Sequence, residues 1–64
     1  MSENLDISIR KFLKEVGVTS QKAIENAWAE AFDSNLVEGT KVEAKMVLTI
    51  DDLKLVHTVT GEIG

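Results

Sequence analysis

The chain has 64 residues, 44% of them hydrophobic and 28% charged, with no proline, no cysteine and a net charge of −4. A chain this short buries only about 60% of the surface its unfolded form exposes. Without cysteine, disulfides and thiolate metal sites are excluded, so self-association is the support left to it, apart from a very well-packed monomer core.

The acidic balance disfavours non-specific attraction to nucleic acid or anionic lipid. No apolar stretch approaches the roughly 20 residues that cross a bilayer. The opening residues 1–12 lack the basic start and apolar run of a signal peptide. The expectation is a small, acidic, cytoplasmic protein forming one domain over residues 1–64.

Taken in chain order, Leu5, Ile9, Phe12, Leu13 and Val16 recur at helical spacing and form one stripe about 100° wide. They predict a helix over about 4–16, with Asn4 as N-cap and Asp6 in the first turn. Gly17 fits the left-handed position that closes a helix. Thr19 or Ser20 then caps a second predicted helix, about 20–33, whose apolar positions are Ala23, Ile24, Ala27, Trp28, Ala31 and Phe32. They cover nearly half its circumference, enough for two packing surfaces. Residues 33–40 have turn chemistry.

From Lys41 the period becomes two. Val42, Ala44, Met46, Leu48 and Ile50 alternate with Lys41, Glu43, Lys45, Val47 and Thr49, predicting a strand over about 41–50. A second strand over about 53–63 alternates Leu53, Leu55, His57, Val59 and Ile63 with Lys54, Val56, Thr58, Thr60 and Glu62. A tight turn at Asp51 and Asp52 would set Leu48 beside Leu55, Ala44 beside Val59, Val47 beside Val56, His57 opposite Met46 and Lys41 opposite Glu62. No like charges meet in that register. The predicted fold class is α+β, in the order ααββ. A lone hairpin has two open edges, so the sheet is expected to reach four strands by homodimerisation.

Residues 13–27 raise the question of a helix-turn-helix, with Gly17 in the turn and the hairpin as a wing. Charge argues against it. Residues 1–22 carry a net +1, while residues 23–40 carry Glu25, Glu30, Asp33 and Glu38 with no base, a net −4. The outward side of the would-be recognition helix is acidic, whereas affinity for DNA rests on neutralising phosphates. A winged-helix-like DNA binder using the second helix is therefore the alternative reading.

His57, on an otherwise apolar strand face, could act as a general base, but no nucleophile–base–orienter set lies near it in sequence. A structural histidine is the plainer reading. Asp51 and Asp52 lack the spaced acidic loop that calcium needs and read as turn residues. Residues 33–39, "DSNLVEG", faintly resemble the Asp-Ser-Leu of acyl carrier proteins. Asn35 interrupts that motif, and chance accounts for it. No catalytic residues, cofactor or metal ligands are expected, and the chain reads as a non-enzyme.

The run "SIRKFLKEVGVTSQKAIENA", residues 8–27, with "GEI" at 61–63, resembles a family of small uncharacterised bacterial proteins, mainly proteobacterial, catalogued as a domain of unknown function. That resemblance implies a compact α+β domain in a bacterial cytoplasm and assigns no activity. The expected function is a non-catalytic, self-associating module that binds or assists another, unknown protein. Its candidate partner surface is Ile7, Arg10, Lys11 and Lys14, an apolar residue within a basic patch. Trp28, Phe32, Met46 and His57 are the candidate core or dimer interface.

Overall fold

The structure, a computed structural model, describes residues 2–33 and 41–64. Its elements there are one helix, α1 (Glu3–Asp33), and two strands, β1 (Val42–Ile50) and β2 (Leu55–Ile63), joined by a one-turn 3-10 helix at Asp51–Leu53. The class is α+β, as expected, but the order is αββ. The turn expected within residues 33–40 falls outside the described residues except for Asp33, which closes α1.

The two expected helices are one. Gly17 lies inside α1, and the only described glycine with a positive φ is Gly64. The reason is the stripe itself. Leu5, Ile9, Phe12, Val16, Ser20, Ala23, Ala27 and Ala31 follow one another at steps of three or four straight through Gly17, so an unbroken helix keeps this stripe on one side. One interior glycine costs about 1 kcal/mol relative to alanine. A break would give up intrahelical hydrogen bonds on both sides of it. Thr19 does not cap a helix; its hydroxyl donates back to the Glu15 carbonyl at 2.8 Å, the usual accommodation of a mid-helix threonine. The N-cap is Ser2 rather than Asn4. The Leu5 N–H donates to Ser2 Oγ at 3.1 Å, and the Asp6 N–H donates to the Ser2 carbonyl at 3.1 Å. Glu3 and Asp6 then place carboxylates in the first turn.

The strands pair antiparallel, with Ile50 opposite Leu55, Leu48 opposite His57, Met46 opposite Val59, Ala44 opposite Gly61 and Val42 opposite Ile63. This register is two residues away from the expected one. A two-residue hairpin turn of the favoured kind needs left-handed φ at one or both central residues, usually glycine or asparagine. Here the loop is longer: Asp51–Leu53 turn right-handed, and Lys54 alone is left-handed, at φ 50° and ψ 38°. Its N–H donates to the Asp51 carbonyl at 3.0 Å. Because the shift is even, each residue keeps its face, and the apolar and polar rows stay as the alternation predicts. Glu43 now stands opposite Glu62 on the polar face, so like charges do meet.

α1 lies along the apolar face, with β1 running back beside it. Ala27, Trp28 and Ala31 line an open cleft with Val42, Ala44 and Ile63. Ser20, Ala23 and Ile24 line another with Ala44, Met46 and Val59. Phe12, Leu13 and Val16 line a third with Met46, Leu48, His57 and Val59. The fit is open, and no described residue is fully buried. The helix, about 46 Å long at 1.5 Å per residue, sets the long axis of a 48 × 20 × 16 Å molecule. Its radius of gyration is 15.4 Å, against about 10.7 Å for a compact domain of this length.

Candidate functional site

The outstanding surface is the apolar face that the helix only partly covers. On β1, Val42, Ala44, Leu48 and Ile50 are half-buried. On β2 the same face carries Leu55, His57, Val59 and Gly61, all exposed, and only Ile63 is half-buried. The apolar face is therefore more covered on β1, Met46 excepted, than on β2. The stripe of α1 is equally open: Phe12 is 49% exposed, Leu13 50% and Ile24 39%. Between the stripe and the strands runs an open groove of about 540 Å³, walled by Phe12, Leu13, Met46, His57 and Val59.

Of the residues expected to form a core or interface, Met46 and His57 line this groove together. Trp28 is half-buried further along the helix, beside Val42 and Ile63, and is not brought to them. Phe32 belongs to α1, and its side chain lies outside the described ones. His57 stands opposite Leu48 rather than Met46. Among the described residues lining the groove with His57, the side chains are apolar apart from Thr49.

Ile7, Arg10, Lys11 and Lys14 are all exposed on α1. Because the helix is unbroken, the row continues to a residue that sequence reasoning missed. Val18, 61% exposed, follows Ile7, Lys11 and Lys14 at helical steps, and Ile7 is itself 56% exposed. The spacing was visible in the sequence but was cut by placing a helix end at Gly17. Asp51 and Asp52 open the hairpin turn with exposed side chains. Among the described residues no group of three histidines or acids is placed to hold a metal ion. The residues carrying the faint acyl-carrier likeness lie outside the described ones apart from Asp33. The helix-turn-helix has no turn, so no separate recognition helix exists to enter a DNA groove. Among the described residues, no helix is long and apolar enough to cross a membrane.

A long amphipathic helix over half of an uncovered two-stranded sheet defines a small α+β chain whose apolar side is its most prominent surface. The chain belongs to the family of unknown function designated DUF6494, whose model matches residues 1–64. No curated protein and no solved structure matches it.

Proposed function

We propose that the protein is a non-catalytic, self-associating module: a homodimer whose hairpins join into one four-stranded sheet with both helices on one face, and which acts by binding another protein. The carrying observation is the surface left open. The chain exposes 5888 Å², whereas a folded monomer of 7.0 kDa exposes about 4,000 Å². The excess, roughly 1,900 Å² per chain, or about twice that for a pair, falls in the range buried by obligate dimers. A second copy also answers the open strand edges that a lone hairpin presents.

The apolar surroundings of His57 support the non-catalytic part of the reading. The exposed row of Ile7, Lys11, Lys14 and Val18 supports a partner-binding face on the helix side remote from the stripe. A bacterial, cytoplasmic setting belongs to the same reading and rests on the sequence expectations above. Sedimentation across a wide concentration range tests the assembly: a mass of twice 7.0 kDa is expected, and a constant monomer mass with full helix content overturns it. The double substitution Ile7→Ala, Lys11→Glu should leave that mass unchanged and abolish recovery of a partner; unchanged recovery removes the proposed face.

A further inference from the structure

The cover over the hairpin is uneven, and this selects which strand edge the second copy takes. We infer that β2 pairs antiparallel with β2 of a second copy, centred on Val59, so that the sheet runs β1–β2–β2–β1 with both helices on its apolar face. The inference rests on the self-association reading above and goes further by naming the edge and the register.

Helix placement is the first ground. On the apolar face, Val42, Ala44, Leu48 and Ile50 of β1 are half-buried and Met46 is exposed, whereas on β2 Ile63 alone is half-buried, which places the α1 axis toward the β1 side. Neighbouring strands lie about 4.8 Å apart, and packed helices need about 8–10 Å between axes. With β2 strands at the centre, the helices sit over the outer halves of the sheet and clear one another. With β1 strands at the centre, the same helices would be closer than packing allows.

Edge chemistry is the second ground. The polar row of β1 reads Glu43, Lys45, Val47 and Thr49, half of it charges of the kind that discourage edge pairing. The corresponding row of β2 reads Val56, Thr58, Thr60 and Glu62, mostly β-branched residues that favour it.

Symmetry and strand length then set the register. A strand paired with its own copy about a two-fold axis has one residue opposite itself. Odd positions therefore face odd ones, and the apolar rows stay on one side of the sheet. β2 has nine residues, Leu55–Ile63, and pairing all nine puts Val59 on the axis. Leu55 then meets Ile63, Thr58 meets Thr60 and Val56 meets Glu62 of the other copy, with no like charges opposed. His57 meets Gly61, where even an added Cβ would have nothing within 4 Å in the single chain.

The absence of cysteine makes single introduced thiols clean probes. Thr58→Cys and Thr60→Cys lie on the exposed polar face, so neither disturbs the apolar one. Directly opposed residues have Cα atoms about 4.5–5.5 Å apart, within disulfide reach, whereas diagonal ones are about 7–8 Å apart and outside it. An equal mixture of the two variant chains under mild air oxidation should give a covalent dimer, and each chain alone should not. Lys45→Cys mixed with Val47→Cys tests the β1 edge in the equivalent way and should stay uncross-linked. Cross-linking of the β1 pair alone, or of neither pair at a dimeric mass, overturns the β2 edge and leaves self-association standing. Cross-linking of both pairs overturns the closed dimer in favour of an extending sheet. A monomeric mass without cross-linking overturns both readings.

Discussion

Gly17 and Lys54 are the two positions where the backbone carries a removable cost. A Cβ added at Gly17 would meet nothing within 4 Å, so Gly17→Ala should stabilise the fold by about 0.5–1 kcal/mol through helix propensity alone. Thermal unfolding followed by circular dichroism at fixed chain concentration checks it; a fall in Tm would mean that another surface packs against that site. Lys54 holds φ at 50° without being glycine, a conformation that costs roughly 1–2 kcal/mol in an ordinary residue. Lys54→Gly should recover about 1 kcal/mol of that, read as a higher urea midpoint with an unchanged m-value. Neither residue's conformation was legible in the sequence. A glycine after a basic turn suits a helix end and a tolerated interior equally well, and a lysine gives no sign of a left-handed backbone.

At the scale of elements, the strand alternation is legible, because period-two patterning survives any even shift of register, but Leu53, expected in the second strand, lies in the 3-10 turn. The register was not legible, since it follows from loop length rather than from the strands. The helical stripe was read correctly up to Val16 and again from Ala23. Its continuity is not legible, because Gly17 offers a local stop signal that competes with the phase of the stripe. The same stripe supplies a test of cover. Leu13 is 50% exposed in the single chain and Val18 61%. Were the single chain the working state, Leu13→Ala and Val18→Ala would both cost little, as surface truncations do. Under a second copy, Leu13→Ala should cost about 2–5 kcal/mol and Val18→Ala less than about 0.5 kcal/mol. Denaturant titration at equal chain concentration separates the two; equal small losses argue for a helix stripe left in water.

For the whole molecule, the open surface and the 15.4 Å radius of gyration mean that, under the proposed self-association, assembly and folding are one event. Far-ultraviolet helix signal should therefore fall on dilution, and Tm should rise with chain concentration. A Tm independent of concentration over a hundredfold range would show that the chain stands alone. Composition and length pointed toward self-association, but the site on which it would occur was only half legible. The sequence singles out Met46 and His57 by their strand face, while Phe12 and Leu13 read only as part of a helical stripe and Val59 only as part of a strand row. Sequence periodicity says which residues share a side, not whether anything lies over them.

No described residue is fully buried in the single chain, and that bears on the protein's life in a cell. Under the proposed self-association, the chain gains its interior only from a second copy and is folded in proportion to how much of it has been made. Its survival against proteases then tracks copy number, because degradation follows the share of open chains. Lowering expression should shorten its half-life, a self-limiting threshold that a protein with its own interior would not show.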